Sequence, residues 1–452
     1  MRDLITDALK GHGVDYAEIR VEESVGSRIT YRGKELEDIG RTSGIGGNVR
    51  ALYKGGWGFV TFNDLSNLKE KVALAAREAR LVGKEKSVLA PVDPVVDSFK
   101  PVLKKDPLTV SLAEKTRLLE EYVEVIWASP GIQTSAIRYS DSRRKLLFAS
   151  SEGSFIEQEK VDMSAGLTVI VRQDGNVQQA SLSLGSAEDF GFIEGIHSQV
   201  KETTDRAIAL LSASRPKGGE YTVICDPVLS GVFVHEAFGH LSESDFVYEN
   251  ERMKEVMVLG RRFGNPILNI VDGAAIPGLR GSYKYDDEGV PSTKTYLITE
   301  GILTGRLHSR ETAGKMGEPV TGNARAINFR YPPIVRMTNT LIEPGKTSFA
   351  DMIADVKEGI YAKNWYGGTT SMEMFTFSAG ESFMIRNGKI AEPLQGVVLS
   401  GNLFSTLHNI DAIGDDPGMT QGGGCGKGGQ APRPVANGGP LIRIRKCVIG
   451  GE

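Results

Sequence analysis

Val234-His235-Glu236-Ala237-Phe238-Gly239-His240 brings two of the chain's six histidines and a carboxylate into one short stretch. Just upstream, Tyr221–Cys225 reads as a strand. Asp226-Pro227 then supplies an N-cap followed by proline at the first helical position, so a helix leads into the His-Glu string. Further upstream, Ser214-Arg215-Pro216-Lys217-Gly218-Gly219 has the composition of a linker. The expected organisation is therefore two domains, residues 1–215 and 216–452, with the helix that carries the string opening the second.

The first domain reads as α+β. A short helix (Leu4, Ile5, Ala8 and Leu9 on one face) precedes strands at Tyr16–Val21, Ser27–Tyr31, Gly47–Tyr53 and Trp57–Phe62. Helices are expected from Asn63/Asp64 to Val82, from Ser111 to Ala128 and from Phe192 to Ser212. Between the last two lie strands at Ile137–Ser140, Lys145–Ser150, Ser154–Lys160, Leu167–Arg172 and Gln178–Leu184. Beyond the linker, short strands punctuated by Gly and Pro dominate, with one helix over Ser348–Gly359. The expected fold class is α+β: an N-terminal α/β-type domain with antiparallel strands, then a mostly antiparallel β domain that carries the His-Glu helix.

Composition narrows the function classes. The 54 glycines in 452 residues follow no Gly-X-Y period, so they serve turns and close approaches rather than a collagen helix. Hydrophobic content of 40% and charged content of 24% suit a globular chain. A net charge of −4 argues against a nucleic-acid binder whose whole surface is basic, while leaving room for a local basic patch. Three cysteines cannot build a disulfide framework, and no apolar run is long enough for a membrane span. The start, Met1-Arg2-Asp3-Leu4-Ile5, turns polar too soon for a secretory signal, so a cytoplasmic protein is expected.

Spacing decides what the two histidines can do. In a zinc-peptidase helix of the His-Glu-x-x-His type, the histidines are i and i+4; here they are i and i+5. At about 100° per residue, i and i+5 lie roughly 140° apart on a regular helix. Both rings reach one metal only if the turn widens, as in a π-bulge, or if the helix ends before His240. Gly239 is expected to make either distortion cheap. The competing reading is an ordinary helix in which Glu236 and His240 form an i, i+4 pair. A catalytic zinc site takes three protein ligands and keeps one position open. The candidate third ligand is Cys425 in Gln421-Gly-Gly-Gly-Cys425-Gly-Lys-Gly-Gly-Gln430, where six glycines let backbone come close to a site.

These motifs resemble the TldD/PmbA family. The resemblance rests on the His235-to-His240 string, Cys425–Gln430 and the closing Gly439-Pro-Leu-Ile-Arg443…Val448-Ile-Gly-Gly451. Asp287-Glu-Gly289, Thr295–Ile298, Gly301–Leu303, Arg336-Met-Thr-Asn339, Ile385–Lys389, Gly46–Arg50 and Gly58-Phe59 extend it over almost the whole chain. It implies a zinc (Zn2+) metalloprotease of the catalytic TldD branch, acting on unfolded or flexible peptides with broad sequence tolerance. His235, His240 and Cys425 would be the ligands and Glu236 the general base. It also implies a dimer, with a non-catalytic TldE/PmbA-like subunit or with a second copy. Two alternatives stand beside it: a gyrase-modulator-like binding partner with a non-catalytic metal site, and a zinc hydrolase of small amides.

The other notable residues have plainer expected roles. Cys225 and Cys447 read as core, His12 and His197 as surface, and His308 and His408 as structural histidines. Asp286-Asp287-Glu288-Gly289 lacks EF-hand spacing and reads as a turn. Gly44–Gly47 does not match a nucleotide-binding fingerprint, and no helix signal follows Lys427 to make a phosphate cradle.

Overall fold

A computed structural model of the chain describes residues 2–450. The fold is α+β with largely antiparallel sheets. The N-terminal half contains α1 (Arg2–Ala8), β1 (Tyr16–Arg32), β2 (Glu35–Tyr53), β3 (Gly56–Phe62), α2 (Leu68–Val82), β4 (Val96–Phe99), α3 (Leu112–Trp127), β5 (Ile132–Ser150), β6 (Phe155–Gln173), β7 (Asn176–Ser186) and α4 (His197–Leu210). One sheet runs β3-β2-β1-β5-β6-β4, with β7 also paired to β6. Its strands are far longer than the sequence pattern suggests. The two strands expected at 16–21 and 27–31 are one 17-residue strand, and β2 begins twelve residues before the expected Gly47. The middle of this ribbon is exposed on both faces, so it has no apolar alternation to read, and ladder hydrogen bonds alone carry it.

Helices cover one stretch of this sheet at each end. On β6 every second residue from Val161 to Val171 is buried, and these pack against Leu119, Tyr122 and Ile126 of α3 and Val200 and Ala207 of α4. At the other end, Val72, Ala75 and Ala79 of α2 and Ile5 of α1 pack on Ile19, Val49 and Ala51. Ser111 caps α3 in a reciprocal box with Glu114. The helix expected from Phe192 begins only at His197, because Gly195 takes a positive φ of 70° and breaks the run.

In the C-terminal half, β8 (Gly219–Cys225) is a central strand between Glu358–Ser371, parallel to it, and Ile442–Gly450, antiparallel. The latter continues to Val398–Asn402 and Met374–Arg386. Pairing of 374–386 back onto 358–371 closes these five strands into a ring. A second sheet of six short strands includes Ile270–Gly273, Asn339–Ile342 and Ala436–Gly439. α5 (Pro227–Val234) is buried between the two. Its Phe233 meets the rings of Phe375 and Phe377 edge-on, at 5.4 and 6.1 Å between centroids. Asp226 caps α5 through Leu229 N, as the Asp-Pro signal requires. The helix expected over 348–359 stops at Ala354, since Glu358 already begins the ring strand. Cys225 and Cys447 belong to the core of this half.

The acidic run at 286–289 does form a turn, with Gly289 at φ 74°, but all three acids are buried. Two of them meet cations of the N-terminal sheet, Glu288 2.9 Å from Arg50 and Asp287 3.4 Å from Arg20, while Asp286 accepts from the backbone N–H groups of Glu288, Val290 and Ala324. Arg310 reaches back to Glu152 at 2.8 Å. No helix among the described residues is long and apolar enough to cross a membrane.

Candidate metal centre

The buried helix α5 delivers the His-Glu string directly into the heart of the C-terminal half. Its last turn does not stay regular: His235–Gly239 forms a π-turn, and His240–Ser242 continues as a single 3-10 turn. The wider turn swings His240 towards His235, so the ring centroids lie 5.3 Å apart at an interplanar angle of 81°. From the far end of the chain, Cys425 enters on the hairpin Gly424–Lys427/Gln430–Pro434, turned by Gly428 and Gly429 at positive φ. One donor atom from each of His235, His240 and Cys425 lies within 4.8 Å of the other two. Cys425 Sγ is 3.5 Å from His240 Nε2. Two ligands of one tetrahedral zinc, at ordinary Zn–N and Zn–S lengths, lie about 3.6 Å apart. The donor set therefore fits a metal ion.

Local electrostatics reinforce that fit. Burial pushes the Cys425 thiol up, but His235 and His240 outweigh it and bring the group down to about 5. At neutral pH the sulfur is a thiolate, the form that ligates. Burial works against charge on His240, yet hydrogen bonds with Cys425 and Glu243 hold the ring up to about 10. Without a metal it therefore pairs with the thiolate as an imidazolium, and ligation by Nε2 requires that proton to leave. His240 Nδ1 lies 3.1 Å from Glu243 Oε2, which leaves Nε2 facing Cys425. His235 is buried, and its Nδ1 has no hydrogen-bond partner among the described residues. Glu236 lies one turn from His240, with Oε2 3.9 Å from Nε2, and its side chain is 30% exposed. Two buried donors, His235 and Cys425, and the partly exposed His240 thus sit beside an equally accessible carboxylate.

Three family models cover nearly the entire chain. They are described as PmbA/TldA metallopeptidase domain 1 (residues 17–81), central domain (105–211) and C-terminal domain (218–451). The chain belongs to the PmbA/TldD metallopeptidase family. A metalloprotease of Synechocystis is 49% identical over 440 residues, spanning 97% of this chain and 95% of its own length. A zinc metalloprotease TldD homolog of Saccharolobus solfataricus is 31% identical over 443 residues, spanning 97% of each. The crystal structure of TldE from Thermococcus kodakarensis shares the fold, with a TM-score of 0.79 at 19% identity over all of both chains.

In this PmbA/TldD chain the centre has supports that sequence reasoning passed over. Glu243 is buried against His240. Burial raises its carboxyl, but Lys427 and His240 hold it down to about 2. Lys427 lies 3.1 Å from Glu243 and 2.6 Å from Asp245, so it is tied to acids of the site rather than to a phosphate. Arg336, fully buried, donates to Cys425 O at 2.7 Å and Gln430 O at 3.0 Å, fixing both strands of the Cys hairpin. Its neighbour Met337 donates its backbone N–H to Glu243 at 3.2 Å. The sequence signals for these roles are the Arg336–Asn339 motif and, for Lys427, the Cys425–Gln430 segment.

Gly239 serves a different purpose from the one expected. Its backbone is right-handed helical, at φ −58° and ψ −50°, so no special conformational freedom is used. A Cβ there would sit 2.0 Å from Met337 Sδ, so close packing against Met337 is what demands glycine. His308 bonds to Glu318 at 3.0 Å and Thr312 at 3.2 Å, a satisfied structural histidine. His197 pairs with Glu121, and His408 is exposed.

Proposed function

We propose that His235, His240 and Cys425 hold a zinc ion, that Glu236 is the general base, and that the chain is a peptidase of the TldD branch. The observation that carries this is the convergence of two imidazoles and a thiolate within 4.8 Å beside the partly exposed Glu236. Zinc in the Saccharolobus relative's name supports the choice of metal. An ion so held supplies Lewis acidity for the attacking water and the scissile carbonyl. Glu236 takes the water's proton and passes it to the leaving amine nitrogen. Glu243, fixed by Lys427, keeps the His240 ring oriented with Nε2 towards the site. Within this reading, residues 216–452 form the peptidase domain and 1–215 the N-terminal domain.

The substrate class is unfolded or flexible peptide, bound with broad sequence tolerance. Support comes from the Cys425 hairpin, which forms a two-stranded sheet by itself and so offers a strand edge next to the site. Main-chain hydrogen bonding along such an edge reads little side-chain identity. Product mapping on several unrelated unfolded peptides should return many cleavage sites with no shared motif. A single strict motif would contradict this.

For assembly we propose a dimer, with a TldE/PmbA-like subunit or with a second copy; sedimentation of the purified chain alone separates a monomer awaiting its partner from a homodimer. A cytoplasmic setting accords with Cys425 acting as a reduced ligand.

A further inference from the structure

A cavity of about 40 Å³ lies where the N-terminal sheet meets the C-terminal half, and its walls are strongly cationic. Arg20, Arg144, Lys160, Arg280, Arg325 and Arg433 line it, against only three carboxylates. Asp162 and Asp287 are already engaged, and Glu22 Oε2 is the one buried acceptor of the lining without a hydrogen-bond partner among the described residues. Glu22 lies 3.8 Å from Arg144, Asp162 accepts from Arg280, and Asp287 is shared between Arg20 at 3.4 Å and Arg433 at 3.6 Å. Arg325 forms no ion pair among the described residues and donates to the carbonyls of Met337 and Pro434. Lys160 Nζ, Arg20 Nη1 and the Nε atoms of Arg325 and Arg433 are buried with no hydrogen-bond partner among the described residues. Four unpartnered donors on residues that line one small space, against the single unpartnered acceptor of Glu22, suit a ligand with several lone pairs and negative charge, an oxyanion.

Size and position narrow the ligand. One water needs roughly 10–15 Å³ on this scale, so the cavity takes a group of about three heavy atoms, the size of a carboxylate. Arg433 stands directly across the hairpin from Cys425, and opposed residues of an antiparallel pair project from one face. Arg280 holds the carbonyls of Gln421 and Gly423, which lead into Cys425. The cavity therefore adjoins the cysteine side of the metal centre. We propose that it is an oxyanion subsite that takes a carboxylate carried by the bound peptide, an inference that rests on the peptidase reading above.

Lys160 shows what the site costs the fold. Burial lowers it to about 7; Asp287 opposes this, while Arg433, Arg325 and Arg20 push the same way. The Tyr283 ring, 4.3 Å from Nζ, is its remaining neighbour of note. Between pH 7 and the usual lysine range the unfolded chain binds more protons than the folded one. The contribution of Lys160 is therefore unfavourable at neutral pH and is relieved as pH rises through that window. Removing the charge with Lys160→Met should raise Tm at pH 7, opposite to the loss of a structural ion pair.

The test is isothermal titration of the chelator-treated full chain, which binds without turnover. The ligands are an unfolded peptide as free acid and as C-terminal amide, the amide with Glu or Gln at one internal position, and inorganic phosphate alone. At least one carboxylate-bearing peptide should bind tenfold or more tighter than its neutral counterpart, and Lys160→Met should abolish that preference while raising Tm. Equal affinity within both pairs overturns the proposal, and so does a preference that survives Lys160→Met. Lys160-dependent phosphate binding without any carboxylate preference assigns the cavity to free anions and also overturns it. Comparison of the peptide pairs on the unaltered chain decides the matter even if the variant does not fold. A chain that shows the preference but, once metal-loaded, cleaves nothing refutes the peptidase reading and not the subsite.

Discussion

Glu236→Gln keeps its metal and loses turnover. The substitution is nearly isosteric and sits at a partly exposed position, so neither the π-turn nor the three donors depend on the carboxylate. What the amide cannot do is accept a proton. A positioned general base contributes about 10²–10⁴-fold, so kcat/KM on an unfolded peptide should fall by that factor, about 3–5 kcal/mol of barrier. Metal content measured on the same sample should be unchanged. Cleavage within a fewfold of the parent would remove Glu236 from the role of base.

Cys425→Ser acts on the other half of the site. Serine keeps the hairpin and nearly the same volume, but its hydroxyl stays protonated where the thiol, brought down to about 5, is ionised. The donor set loses its only negative charge. Losing a partner that merely orients a ligand costs about 10–100-fold in metal affinity, so losing the thiolate itself should exceed that range. Competition with a chromophoric chelator reads the difference. An unchanged affinity would exclude Cys425 from the site. Because Cys425 is buried and Arg336 grips its carbonyl rather than its sulfur, the fold should persist and the loss should be specific to the metal.

Much of the site was legible because its residues are scarce. With six histidines and three cysteines in the chain, the His-Glu-x-x-x-His string and a cysteine framed by glycines stand out on composition alone. Helical arithmetic left a widened or terminated turn against an ordinary helix with a Glu236–His240 pair, between which the structure takes the widened turn. The α+β class was equally readable from the change in periodicity across residues 214–219. The missing parts were illegible for a common physical reason: their meaning lies in partners far away in sequence. Asp287 reads as a turn residue until Arg20 and Arg433 are beside it. Arg336 reads as one more charge until it bridges Cys425 and Gln430. Gly239 suggested backbone freedom, whereas its role is to admit Met337. The long strands β1 and β2 were cut short because the exposed stretch of their ribbon carries no apolar alternation, only ladder hydrogen bonds that leave no mark on side-chain pattern.

The central claim is that two histidines and one cysteine, nearly two hundred residues apart, bind a single ion. X-ray absorption at the zinc edge of the zinc-loaded full chain tests it most directly. The predicted first shell contains one sulfur and two imidazole nitrogens, with the sulfur lost in Cys425→Ser. A shell of nitrogen and oxygen alone in the unaltered chain would contradict it.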